Sequence, residues 1–467
     1  MRYISTRGGA PAAGFLDVVL EGLAPDGGLY IPEAWPVLTE ADFAAMARMS
    51  YADLAADVLG RFVGGDIDKA TLTRMTRDAY EPFTHAAVTP LKQLERGLWL
   101  QELFHGPTLA FKDVAMQLLA RLYDHALGQR GRTATILVAT SGDTGGAAVE
   151  AFRGRRNVRL IVLYPHGRIS EVQRRFITTA SEDNVQVLAI DGVFDDCQAI
   201  VKQIFLDPAL HNAGLSGVNS INWSRIAAQT VYYFASALAL GAPHRPVAYS
   251  VPTGNFGDAF AGYVAKQMGL PIERLIVATN ANDIMSRMVE QGRYARGPVV
   301  ATQSPAMDIQ AASNFERLYF EGVRHEGVDT ARAMRAFADA GMLDVPPSAM
   351  SMIRELFRGA MIDEAETART MVATHHLTGE LIDPHTAVGV AAARRIGPAK
   401  PGTPLVVMAT AHPAKFPETV LAATGVEVPV PPRVRALDGR PERMLRLPPD
   451  VEQVKAHVRE AMGLATV

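Results

Sequence analysis

The chain has 467 residues, 48% of them hydrophobic and 20% charged, enough to bury two or more cores and too apolar for a disordered polymer. Its 46 lysines and arginines against 49 aspartates and glutamates leave a net charge of -3, which excludes the basic footprint of a nucleic-acid or anionic-membrane binder. A single cysteine, Cys197, excludes internal disulfides, a CxxC redox pair and multi-cysteine metal sites, and fits a reducing cytoplasm.

Met1 to Gly9 lacks the apolar core of a signal peptide, and the apolar stretch from Phe15 to Leu23 is interrupted by Asp17 and Glu21. No run approaches the length of a membrane span. Residues 37 to 80 carry apolar residues at helical spacing, with Gly64-Gly65 as a break. Val114, Leu118, Leu122 and Ala126 step by four along a helix, and Thr135 to Thr140 form a strand that opens into Ser-Gly-Asp-Thr-Gly-Gly. Strands at Val158 to Tyr164 and Val185 to Ile190 alternate with helices at Ser170 to Ala180 and Asp195 to Phe205, the pattern of a parallel sheet. A second such region runs from the strand Val247 to Val251 through Pro252-Thr253-Gly254-Asn255-Phe256-Gly257-Asp258, a helix at Ala259 to Met268 and a strand at Leu275 to Thr279. Residues 404 to 410 form a last buried strand. The stretch from Val426 to Asp450 holds six prolines and is expected to wrap the surface without a core of its own.

Two glycine turns, at 142 to 146 and 254 to 257, each lie between a strand and a helix, where free N–H groups and the helix dipole suit an anion. Either turn alone is equally readable as tight packing. With no Gly-Lys pair anywhere and no GxGxxG at either turn, a nucleotide loop is disfavoured. Lys112, one of eight lysines, follows His105-Gly106-Pro107-Thr108-Leu109-Ala110-Phe111 at the mouth of a helix. Burial there favours the neutral amine that a Schiff-base nucleophile needs; local context leaves a snorkelling surface lysine open. The adjacent His375-His376 point apart on any regular element, which argues against a metal, and Cys197 reads as a packed small residue.

Phe104-His105-Gly106-Pro107-Thr108-Leu109-Ala110-Phe111-Lys112-Asp113 resembles the pyridoxal-phosphate lysine segment of threonine synthases. Ile4-Ser5-Thr6-Arg7-Gly8 and Pro25-Asp26-Gly27-Gly28-Leu29-Tyr30 resemble that family's N-terminal motifs. Ser141-Gly142-Asp143-Thr144-Gly145, Gly254-Asn255-Phe256-Gly257-Asp258 and Thr410-Ala411-His412-Pro413-Ala414-Lys415-Phe416 follow in the family's order. The resemblance spans roughly residues 1 to 425 and implies the tryptophan-synthase-β fold type, an α/β architecture with two parallel-sheet domains and a helical N-terminal region. The expected division is an N-terminal region at 1–85, a large cofactor domain at 86–125 and 220–425, a smaller inserted domain at 126–219 and a tail at 426–467.

Carried over residue by residue, the resemblance implies pyridoxal 5'-phosphate on Lys112, its phosphate in the turn of Gly254, Asn255, Phe256 and Gly257, and Thr410 facing the pyridine nitrogen. Asp143 stands where related enzymes often carry Asn beside the cofactor's 3'-oxygen. The family substrate, O-phospho-L-homoserine, needs a second anion site. The resemblance assigns Asn219, Ser220 and Arg225 to its phosphate, with Thr140 and Thr144 completing the pocket and Ser141 taking the carboxylate. Read without it, Asn219-Ser220 is an ordinary helix cap, and Thr410 a buried threonine at a strand end. Asp383-Pro384-His385-Thr386 recurs in the family and is expected only to shape the site. The implied activity is conversion of phosphohomoserine and water to threonine and phosphate. Two alternatives stay open: a phospho-lyase of the same fold releasing 2-oxobutyrate, and a non-catalytic phospho-ligand binder.

Overall fold

The computed structural model describes residues 1–464, so the last three residues of the expected tail lie outside it. Two open sheets organise the chain. The larger has six strands in the order Phe357–Met361, Ile272–Thr279, Val247–Pro252, Leu405–Ala409, Leu98–Glu102 and Leu91–Glu95. All are parallel except the edge strand Leu91–Glu95, which pairs antiparallel with Leu98–Glu102. The smaller sheet is wholly parallel, in the order Leu445–Leu447, Val185–Ile190, Val158–Pro165, Ala134–Ala139 and Leu215–Ser216. Buried on both faces, the central strands read as continuous apolar runs, which is why they are visible in the sequence. Leu98-Trp99-Leu100-Gln101-Glu102 and Phe357-Arg358-Gly359-Ala360-Met361 carry polar or glycine residues and are strands because their neighbours offer a free edge.

The helices at 37–80 are three: Glu40–Met46, Tyr51–Val63 and Lys69–Tyr80, capped by Thr39, Ser50 and Asp68. They share the main core. The fully buried Trp223 packs against Tyr3, Trp35 and Phe62, so the N-terminal region is welded onto helix Trp223–Ala239. That helix and Lys112–Arg130 are buried on nearly every side, as helices without a polar stripe must be.

The tail departs from the surface wrap expected of it. Leu445–Leu447 extends the smaller sheet, and helix Val451–Ala461 turns Val454, Val458 and Ala461 into the cluster holding Cys197, Ile200 and Ile204. The prolines end at Pro449, and the spacing of four and three that follows is the signature of one buried helical face. Val458→Ala should cost about 2 kcal/mol, from two lost methyl groups and the void they leave. An unchanged melting temperature would show that the tail helix adds nothing to the core.

Candidate active site

Four chain segments leave the carboxyl ends of parallel strands and converge, as ligand-binding loops do in open α/β sheets. From the larger sheet come 103–111 after Leu98–Glu102, 253–257 after Val247–Pro252 and 410–415 after Leu405–Ala409; from the smaller comes 140–142 after Ala134–Ala139.

The lysine segment is folded by its own carboxylate. Asp113, fully buried, accepts from the Thr108 backbone N–H and hydroxyl, each at 2.7 Å. Gly106 is required there, because a Cβ on it would stand 2.4 Å from the Cβ of Asp113. Burial raises the Asp113 carboxyl to about 6, against the pull of the Thr108 hydrogen bonds. Leu109 is driven to φ 61° and tied by the His412 N–H to its carbonyl at 3.0 Å. Such strain in a non-glycine residue persists only where its surroundings over-determine it. Lys112 follows as the first helical residue, partly exposed at a cleft whose walls still strip most water from its amine. Desolvation lowers its pKa to about 8, partly opposed by Asp143 and reinforced by Arg225 and Lys415. Among the described residues it makes no hydrogen bond or ion pair, and its amine lies 5.9 Å from the Phe111 ring centroid.

The turn at 254–257 has the properties of a phosphate cradle. Among the described residues, the N–H groups of Gly254, Asn255, Phe256, Gly257 and Asp258 have no protein acceptor. They cluster at the start of helix Gly257–Gln267, with Phe256 in the left-handed region at φ 64°. Gly254 admits no side chain, because a Cβ would lie 2.7 Å from the Ala306 carbonyl oxygen. Ala306 is held in turn by His385, whose Nε2 accepts its N–H at 3.2 Å while Nδ1 meets Asp383 at 2.7 Å. The Asp-Pro-His-Thr motif thus acts on this turn through the 305–307 segment, and Asp383 also caps helix Pro384–Ile396. Thr410, 6% exposed, accepts the Phe111 N–H on its carbonyl at 2.8 Å and leaves its hydroxyl without a protein partner among the described residues.

The other expected site residues divide. Thr140 Oγ1 accepts the N–H groups of Gly142 and Gly145 at 2.9 and 2.8 Å, so it shapes the turn. Ser141 and Thr144 are half-buried, with no protein partner for either hydroxyl among the described residues. Asp143 Oδ1 is engaged by Lys415 Nζ at 2.8 Å and Gln173 Nε2 at 2.9 Å. Burial would raise this carboxyl, but Lys415 and Lys112 hold it below the usual carboxylate range. Asn219 is exposed and does not cap the following helix; Asn222 does, accepting the Ser224 N–H at 3.0 Å. Arg225 is 4% exposed, and among the described residues its guanidinium hydrogen-bonds only the Val218 carbonyl, at 3.3 Å, with Nε buried and unpartnered. Desolvation lowers its pKa to about 10, so the group stays cationic at neutral pH with no carboxylate beside it among the described residues. An unpaired buried guanidinium is costly unless it meets an anion.

A brace invisible in the sequence joins the two loops. Asn314 Nδ2 donates to the carbonyls of Ser220 and Asn255, both at 3.1 Å, and Ser313 Oγ donates to Asn255 Oδ1 at 3.2 Å. Ser313 Oγ also meets Ser220 Oγ at 3.3 Å. Arg317, fully buried, reaches Asn314, the Ile221 carbonyl at 2.6 Å and the Tyr30 carbonyl at 2.9 Å. Next to it, Glu316 receives Thr6 and a bidentate Arg7. The N-terminal motifs therefore act at a distance, by anchoring helix Phe315–Gly322. No local spacing marks Ser313, Asn314 or Arg317; only the fold brings them to the site.

A strained lysine loop and an open backbone cradle, at the carboxyl ends of two strands of one sheet that flank Leu405–Ala409, suit a pyridoxal-phosphate enzyme. The model described as "Pyridoxal-phosphate dependent enzyme" matches residues 83–353. Flanking it, "Threonine synthase N terminus" matches residues 2–80 and "Threonine synthase, C-terminal" residues 386–458. The chain is 49% identical over 462 residues to a curated threonine synthase of Pseudomonas aeruginosa, covering 98% of each. It superposes on a crystal structure of PLP-bound threonine synthase from Brucella melitensis with a TM-score of 0.96 at 51% identity, and on threonine synthase from yeast with 0.93 at 36%, covering 99% of both chains in each pair. The chain belongs to the threonine synthase family, and its cofactor is pyridoxal phosphate.

Because the 305–307 segment fills the space behind the cradle, Gly254→Ala should weaken cofactor affinity by roughly tenfold or more through displaced N–H donors. Equilibrium dialysis against pyridoxal phosphate checks this; unaltered affinity would mean that the turn is not the phosphate site.

Proposed function

We propose that this chain makes L-threonine and inorganic phosphate from O-phospho-L-homoserine and water, with Lys112 as its catalytic residue. The observation that carries the reading is an unpaired, largely desolvated lysine in a chain that also offers a turn of free backbone N–H groups and a buried Arg225 without a carboxylate partner among the described residues. Pyridoxal phosphate, when bound, supplies the electron sink for charge left at the substrate's α-carbon.

The 254–257 turn would hold the cofactor phosphate, and the Thr410 hydroxyl would serve the ring nitrogen, which it could not keep protonated as a carboxylate would. Asp143 would lie beside the cofactor. Arg225 with Asn219 and Ser220 binds the substrate phosphate by charge-assisted hydrogen bonds; Thr144 completes that pocket, and Ser141 takes the α-carboxylate. Thr140 serves both by shaping their turn. The Lys112 amine would take the proton at Cα, carry the proton it removes from Cβ to Cγ, which becomes the methyl group, and return one to Cα. With a pKa near 8 it exists in both forms at neutral pH, as a proton shuttle must. Phosphate leaves Cγ, stays on Arg225, and takes a proton from the water that adds at Cβ. Exclusion of bulk water from Cβ would keep a competing collapse to 2-oxobutyrate slow.

Among the described residues no helix is long and apolar enough to cross a membrane. With the near-neutral charge balance and lone buried Cys197, we infer a cytoplasmic enzyme whose partner is this small substrate, without nucleic acid or membrane.

Borohydride reduction followed by peptide mapping should place the pyridoxyl group on Lys112. The product mixture should contain threonine and phosphate in nearly equal amounts with traces of 2-oxobutyrate; predominant keto acid would favour the lyase. Arg225→Ala should retain the cofactor spectrum, lower kcat/KM by roughly 10- to 150-fold, and shift products towards 2-oxobutyrate. Loss of the cofactor from a folded variant would contradict separate cradles for the two phosphates.

A further inference from the structure

The reaction needs the Lys112 nitrogen to bond, let go and carry protons, and an amine locked in an ion pair does none of these readily. One carboxylate stands ready to lock it. Asp143 acts on Lys112 through space, as do the cations Arg225 and Lys415, while the adjoining Asp113 is turned away onto Thr108. Yet Asp143 and Lys112 form no ion pair among the described residues; Asp143 Oδ1 meets Lys415 at 2.8 Å and Gln173 at 2.9 Å instead.

Lys415 is itself held rigidly. It is 1% exposed, donates to the Thr108 carbonyl at 2.8 Å and lies 5.6 Å from the Phe176 ring centroid. The remaining charged or titratable groups facing it are Lys112, Asp113 and His412. Its two hydrogen bonds join the lysine segment and the 410–415 segment of the larger sheet to the 140–146 turn of the smaller one. Burying a second ammonium beside the first is costly, and a methionine would fill the same space. The charge therefore has work to do at this place.

We propose that Lys415 is a positioning residue for the threonine synthase reaction: by occupying Asp143 it prevents that carboxylate from capturing Lys112, and so leaves the Lys112 nitrogen free to exchange its proton. The inference rests on the reading of Lys112 as the cofactor lysine. Lys415 touches neither substrate nor cofactor in this role; it acts through Asp143.

The visible absorption of the holoenzyme, titrated against pH, reads protonation of the nitrogen joining Lys112 to the cofactor. Lys415→Met leaves Asp143 facing that nitrogen and should raise the midpoint by about one pH unit or more. Asp143→Asn leaves Lys415 as an unbalanced cation and should lower it by a similar amount. Lys415→Arg keeps the charge and should titrate near wild type, and the double variant Lys415→Met/Asp143→Asn should return towards it. A packing defect has no reason to produce opposite signs. Unmoved midpoints, or shifts of the same sign in the two single variants, would overturn the role of Lys415. Should Lys415→Met fail to fold, Asp143→Asn decides alone, and an unchanged or raised midpoint sinks the idea. Borohydride label on a lysine other than Lys112 would remove the reading of Lys112 and this proposal with it; label on Lys112 with unmoved midpoints removes only the proposal.

Discussion

The site is organised by a charge imbalance held largely out of water. Lys112, Arg225 and Lys415 bring three cationic groups into one cleft, and Asp143 is the carboxylate that answers them. In a low-dielectric interior each uncompensated charge is destabilising, so the native fold is held there by packing from elsewhere. In the proposed function the imbalance is also the basis of recognition. On that reading, ligands that carry phosphates and a carboxylate would recover the missing interactions, and their binding would return stability to the fold by mass action. Lys415 and Asp143 pair with each other, which leaves Lys112 and Arg225 without an ion-pair partner among the described residues.

Holding such a site open demands rigid support. Leu109 and Phe256 adopt left-handed backbone conformations in the two segments proposed to hold the cofactor, a strain of about 1 to 3 kcal/mol each. Leu109 is pinned by His412 and by the Thr108–Asp113 clamp. Phe256 lies between the Ala306 segment, braced by His385, and the Asn314 brace, held by Arg317. Thr108, Asp113, His385, Asn314 and Arg317 are buried, so their hydrogen bonds compete with little water and few alternative geometries.

The supports come from distant parts of the chain. Tyr30, Arg7 and Thr6 at the N-terminus reach helix Phe315–Gly322, whose flanking Asn314 ties Ser220 to Asn255. One side chain therefore touches the carbonyl of a residue in each proposed phosphate site, and the N-terminal motifs and the cleft form one mechanical unit. The tail completes the smaller sheet in the same way, supplying an edge strand and a helix that seal Cys197.

Much of this was legible in the sequence. Strands buried on both faces announce themselves as unbroken apolar runs, and the strand-glycine-helix order of 134–152 and 247–267 follows from backbone chemistry that needs no partner. The resemblance of the 104–113, 141–145, 254–258 and 410–416 segments carried the family. The edge strands Leu91–Glu95 and Phe357–Met361 were not legible, because what makes them strands is a neighbour's free edge rather than their own side chains. Nor were Asn222 as the helix cap, the Asn314 brace or the Lys415–Asp143 pair. A motif records which residue types occur at short spacing; hydrogen bonds spanning 94 residues between Ser220 and Asn314, or 307 between Thr108 and Lys415, depend on how the two sheets are set against each other. Local backbone preference and apolar patterning are written along the chain, so the sequence by itself determined the elements and the glycine turns. Which buried charge answers which is a matter of distance in three dimensions, and only the tertiary structure decided it.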